Sequence, residues 1–327
     1  MIHPSSLSCR ALRCVSALAV LSAPLVLRAH DGTFECHGFA AVAASCAGHR
    51  IAAFIPEASL TLSYTRHDWT VGGTLMFDQG GIPDFVGFGF AEMRTQPAGN
   101  LDYETLWIGH AFSSAARLAV GRLVLPVGQC NVIDPDRRFS LFDDEEEALL
   151  LPCAWNQWGV SLSGEYKALR YEAVLAESHE RTRIPLAMAA RLDVRLSSSA
   201  RLGASCYADD SLHVACLDAD YTRAAWTLRA GVTLTHKDRW AYAHCIEAGY
   251  NLLHYSSRPH ALTFYVHHGA YTTPQGLAAG GTPALTLKHA AGLMFRPCSQ
   301  VSLRAEYLHR TAPSSTHQCT LGVTYTF

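Results

Sequence analysis

The chain has 327 residues, of which 49% are hydrophobic and 17% charged, with 26 basic side chains against 28 acidic ones. That much apolar surface excludes a disordered chain, and the balanced charge leaves no basic footprint for nucleic acid. A polytopic helical membrane protein is excluded too. Each span needs roughly 20 consecutive apolar residues, and the only comparable run lies at the N-terminus.

In that run Arg10 and Arg13 precede an apolar stretch from Cys14 to Leu27, interrupted by Pro24 and followed by Arg28-Ala29-His30-Asp31. A charged start, a short apolar core and a small residue at the end are the parts of a secretory signal, predicted over residues 1–29. A single membrane anchor is the alternative. Residues 30–55 read as a periplasmic N-terminal segment. Two cysteines leave with the signal and nine remain. Cys130 with Cys153, and Cys206 with Cys216, are candidate staples in an oxidising compartment, and isolated space-filling thiols are the other reading.

From residue 56 onward the apolar period is two. Trp158, Val160, Leu162 and Tyr166 alternate with Gly159, Ser161, Ser163 and Glu165. Trp226, Leu228, Ala230, Val232 and Leu234 alternate with Thr227, Arg229, Gly231, Thr233 and Thr235. The segments are 56–66, 69–78, 85–94, 102–112, 115–124, 157–166, 168–177, 187–196, 199–208, 212–221, 224–235, 240–254, 261–271, 284–295, 299–309 and 318–327. Each is close to the 9–11 residues that a tilted strand needs to cross a bilayer. The predicted fold is all-β: a transmembrane antiparallel β-barrel of about sixteen strands over 56–327, with fourteen as the smaller count. A soluble β-sandwich, which would need polar outer faces, is the alternative. Short turns should follow the even strands, as at Ser113-Ser114, Lys167, Ser197-Ser198 and Thr222-Arg223; Asp78–Pro83 is the exception.

Residues 115–177 resemble a family of bacterial outer-membrane porins that includes the phosphate-selective O/P type. The likeness begins with Ala119-Val-Gly121-Arg122-Leu-Val-Leu-Pro126-Val-Gly128-Gln-Cys-Asn131. It continues through Arg138-Phe139-Ser-Leu-Phe142 and Leu150-Leu-Pro152-Cys-Ala-Trp155-Asn-Gln-Trp158-Gly159, and ends at Leu169-Arg-Tyr171. The resemblance implies a passive channel of sixteen strands in the outer membrane, commonly a homotrimer. It also implies that the long loop after strand 5 folds inward. Pro126 and Gly128 would turn the chain at the rim, and Pro152 with Trp155 and Trp158 would return it at interface height.

Alternation places Arg170, Arg191, Arg195, Arg201, Arg229, Lys288 and Arg304 on the lumen side, with Glu165, Glu172, Asp193, Asp218, Glu247 and Glu306. This mixture is not the ladder of cations that an anion-specific channel needs. The loop adds Asp134, Asp136, Asp143, Asp144, Glu145, Glu146 and Glu147 against Arg137 and Arg138. If it lines a constriction, the pore should disfavour anions; otherwise these charges are a solvated loop surface. No HExxH or GxSxG occurs, and the 17 histidines show no ligand spacing, so neither a cofactor nor a metal is expected. The expected function is passive diffusion of small hydrophilic solutes or ions, in contact with outer-membrane lipid and not with nucleic acid. An adhesin barrel and a barrel hydrolase are the alternatives.

Overall fold

A computed structural model describes residues 27–29, 32–47, 50–55, 58–78, 100–132, 138–139, 150–151, 155–178, 185–237, 239–256, 260–272, 285–311 and 315–327. All its regular elements are strands. Near the N-terminus lie β1 (Leu27–Ala29), β2 (Gly32–Ala47), β3 (Arg50–Phe54), β4 (Ala58–Arg66) and β5 (Trp69–Asp78). Next come β6 (Asn100–Ser113), β7 (Ala116–Val124), β8 (Asn156–Tyr166), β9 (Leu169–Glu177), β10 (Leu186–Arg195) and β11 (Ala200–Ala208). The remainder are β12 (His213–Arg223), β13 (Trp226–His236), β14 (Trp240–Asn251), β15 (Ala261–Thr272), β16 (Leu285–Arg296), β17 (Val301–Arg310) and β18 (Thr316–Thr326).

The strands form one sheet that closes on itself. β18 pairs antiparallel with β2 from Cys319↔Cys46 to Thr326↔Phe39, and Gly38 and Phe327 exchange two backbone hydrogen bonds of 3.0 Å. On its other side β2 pairs with β3 at Ala43↔Phe54 and then with β4 from Ala40↔Ala58, so β3 and β4 share one place in the wall. The wall therefore has sixteen strand positions, and closure leaves no edge whose N–H and C=O groups lack a ladder.

The period of two becomes two faces. Leu192 is 43% exposed on the outside while its neighbour Arg191 is 5% exposed on the inside. The same alternation exposes Leu202, Leu217, Val232, Leu293, Leu303 and Val323. An apolar exterior and a polar interior are the inverse of a soluble sandwich, and suit a bilayer.

The N-terminal boundary differs from the sequence reading. Residues 32–47 are a wall strand and not a periplasmic segment, because their partners are β18, β3 and β4. The small residues of Phe39-Ala-Ala-Val-Ala-Ala-Ser hid a strand whose outward side chains include only one large aliphatic, Val42. The predicted strand 85–94 lies outside the described residues. β5 pairs directly with β6, so no strand separates them in the wall. This also resolves the exception at Asp78–Pro83: β5 ends with Asp78 at the end of the barrel where β7 ends, opposite the two-residue hairpins. Residues 1–26 of the predicted signal also lie outside the described part.

Hairpins of two residues join β4 to β5, β8 to β9 and β12 to β13. His67, Lys167 and Ala224 take positive φ there (53°, 57° and 53°), as tight hairpins require. These turns and the C-terminus share one end of the barrel. The proposed Cys206–Cys216 staple is ruled out by register: Cys216 lies opposite Ser205 and Cys206 opposite Ala215, so the two thiols project to opposite faces. Cys153 lies outside the described residues.

Candidate functional site

The inner face of β10–β15 carries a continuous row of charges. Arg191 on β10 donates to Asp193 at 2.9 Å and to Asp218 of β12 at 2.8 Å. Arg201 of β11 reaches Asp193 at 2.7 Å, Asp218 at 3.1 Å and also Asp220. Arg229 of β13 lies 3.6 Å from Asp220 and 3.5 Å from Glu247 of β14, which contacts His267 of β15 at 3.2 Å. Opposite charges thus alternate across the five neighbouring strands β10–β14, with His267 of β15 beside the last carboxylate, as cross-strand pairs allow. Alternation in sequence finds Arg191, Asp193, Arg201, Asp218, Arg229 and Glu247. Asp220, two residues from Asp218, and His267 belong to the same row and were missed, although period two puts both inside.

A second group lies on β15–β17. Lys288 is 1% exposed, and Arg304 and Glu306 are also buried. Tyr265 donates to Glu306 at 2.9 Å. Arg170 and Arg195 stand exposed on the lumen side of β9 and β10, toward the short-turn end, and Glu172 is half-buried.

The connection from β7 to β8 enters this interior. Leu125 and Val127 are fully buried and pack with Cys130, Leu151, Trp155 and Tyr207. Gly128 N–H donates to Ser205 Oγ of β11 at 2.9 Å, its carbonyl accepts from Arg191 at 3.3 Å, and Gln129 donates to Asp220 at 3.3 Å. Further on, Arg304 donates to the carbonyls of Arg138 (2.6 Å) and Phe139 (3.1 Å). Phe139 stacks on Tyr265 at 5.3 Å, and the Arg229 guanidinium lies over the Phe139 ring at 5.3 Å. Tyr265 is on β15, the wall position diametrically opposite β7, so the described part of this connection crosses the lumen.

The motif residues have separate tasks here. Asn131 ties the exit to the return: its amide donates to Val127 C=O at 3.0 Å and its Oδ1 accepts from Trp155 N–H at 3.3 Å. Arg122 faces outward, donating to Asn156 at 2.6 Å and lying 4.7 Å over the ring of Tyr103. Gly121 (φ 143°) and Gly159 are cross-strand partners; a Cβ on Gly121 would meet Leu106 O at 2.2 Å. Trp155 departs from expectation. It is buried on the lumen side, 4.3 Å from Tyr207, and not at the lipid interface, which Trp158 faces instead. Asp134, Asp136, Arg137, Asp143, Asp144, Glu145, Glu146, Glu147 and Pro152 lie outside the described residues.

Between the crossing segment and β6–β10 remains a cavity of about 350 Å³. Pro126, Asn131 and Val132 form one side, and Arg117, Arg170, Glu172, Arg191 and Asp193 are among the residues of the other. Charges of both signs line this cavity, a mixture that suits hydrated polar solutes without binding any one of them tightly.

A closed sixteen-stranded wall with a lipid-compatible exterior and a polar interior defines a transmembrane β-barrel of the bacterial outer-membrane type. Its fold is that of the porins. An anion-selective porin from Comamonas acidovorans superposes with a TM-score of 0.65 at 10% identity, covering 91% of this chain and 100% of that one. The outer-membrane OmpT of Vibrio cholerae gives 0.64 at 10% identity, covering 93% and 100%. The outer-membrane protein OpdK from Pseudomonas aeruginosa gives 0.53 at 12% identity, covering 90% and 98%. No family model and no curated protein matches the chain.

Proposed function

We propose that this protein is an outer-membrane porin through which small hydrophilic solutes or ions diffuse passively, with weak selectivity and no catalysis. The observation that carries the reading is the cavity of about 350 Å³ between the crossing segment and the β6–β10 wall, lined by charges of both signs. An adhesin would need no such cavity and no loop anchored across its lumen. Phosphate selectivity has less support, since the resemblance to the phosphate-selective family rests on the loop motif and the belt alternates in sign. The acidic run from Asp134 to Glu147 tilts the pore mildly toward cations. A homotrimer is part of the proposal, as one Vibrio cholerae OmpT structure is described as a trimer form.

Liposomes loaded with the purified barrel should swell in small neutral sugars, more slowly as the sugar grows. Swelling no faster than in protein-free liposomes would overturn the reading. In a KCl gradient the reversal potential should be small and cation-favouring; a strong anion preference would contradict the assignment of the acidic run.

A further inference from the structure

Histidines, not aromatic residues alone, mark the outward face of β14–β18 toward the long-connection end. Three successive registers place them side by side: His268↔His289, His289↔His309 and His309↔His317. Their ring centroids are 4.8, 6.4 and 4.6 Å apart, and His244 of β14 lies 5.6 Å from His268. Beneath the row the same faces carry Phe264, Val266, Leu293, Leu303 and Val323, so the imidazoles rim the apolar band.

One pair has ligand geometry. His268 Nδ1 and His289 Nδ1 face each other at 3.3 Å. Two imidazoles bound to one tetrahedral Zn²⁺ at about 2.0–2.1 Å have their nitrogens about 3.3–3.4 Å apart, so the observed spacing needs no rearrangement of the two strands. A square-planar ion with bonds near 2.0 Å would need roughly 2.8 Å, which makes tetrahedral preference the selective feature. A neutral imidazole carries one proton. With both rings protonated at Nε2, each Nδ1 keeps a lone pair available to a metal and no proton need be released. Among the described residues no three His, Cys, Asp or Glu side chains converge on one point. The pair is therefore an open bidentate site, with water completing the shell and His244 and His309 as its neighbours in the row.

We propose that His268 and His289 form a Zn²⁺-binding pair on the outer rim of the barrel, linking β15 to β16. Calorimetric titration of ZnCl₂ into the tag-free barrel in detergent should show one saturable site. Affinity should fall at least tenfold in His268→Gln and in His289→Gln, and stay within twofold in His110→Gln, a histidine beside Trp69 at the opposite rim. Heat-modifiable gel migration checks that each variant is a folded barrel. Zinc-edge absorption of the loaded protein should show at least two imidazole nitrogens near 2.0 Å. Zinc binding unchanged in the His268→Gln/His289→Gln double variant would mean an adventitious ion only and would overturn the site, as would the absence of a saturable isotherm.

Discussion

Gly249 on β14 makes room for Phe139: a Cβ there would fall 2.2 Å from Phe139 Cζ. Gly249→Val should therefore expel the ring from its stack on Tyr265 and loosen the crossing segment, raising single-channel conductance while the barrel stays folded. Unchanged conductance would show that Phe139 does not restrict the passage. Asp218 accepts from both Arg191 and Arg201 in a buried setting. Removing one partner from such a network costs about 3–5 kcal/mol, because the remaining charges stay buried without compensation. Asp218→Asn should lower the urea unfolding midpoint accordingly, and more than Arg195→Gln at the exposed mouth.

Asp209, in the turn between β11 and β12, responds to pH in a defined sense. Burial pushes its carboxyl up, but hydrogen bonds from Ser178, the Ser211 N–H, Tyr207 and the Leu212 N–H outweigh this and hold it well below the usual carboxylate range. A depressed folded-state value gives stability that is present in full above the ordinary carboxylate range and is lost as pH falls through the depressed one. Asp209→Asn should thus be less stable than the parent at pH 7, with the gap closing in strong acid. A gap that widens on acidification would reverse the sign.

Among the elements, β7 and β8 show why the sequence motif takes its form. Gly121, with φ of 143°, sits where a Cβ would strike Leu106 O and Trp107 Cα, and its cross-strand partner Gly159 is equally crowded by Leu175 O and Ala176. Gly121→Val carries about 1–3 kcal/mol of backbone strain before any clash is counted. It should cut the yield of heat-modifiable folded barrel, more than Gly231→Val, where a Cβ meets nothing closer than 3.4 Å.

Strands with a large apolar residue at every second position, such as Trp226–His236, were legible because lipid selects one face and water the other. β2 was not. Its outward positions beside Val42 include Ala44 and Cys46, too small to stand out from the neighbouring sequence. The segment 85–94 has the right composition, yet the direct pairing of β5 with β6 excludes it from the wall between them. Parity was recovered from residue 100 onward because the missed strand and the extra one offset each other in the count.

At the scale of the whole molecule, closure explains the low charge content. Sixteen strand positions turn their apolar faces to lipid, and most charges of β10–β17 are gathered on the inside. Which charges share the lumen was legible from alternation. Which of them touch was not, since the belt from Asp193 to His267 depends on register across six strands. The anchoring of Phe139 by Arg304, 165 residues away along the chain, likewise arises only once the barrel closes.

The proposed water-filled lumen, narrowed by the crossing segment, is tested most directly in planar lipid bilayers. Adding the purified barrel in KCl should produce discrete current steps that scale linearly with voltage and with salt concentration. Membranes that stay silent, with folded barrel verified in them, would contradict an open passage.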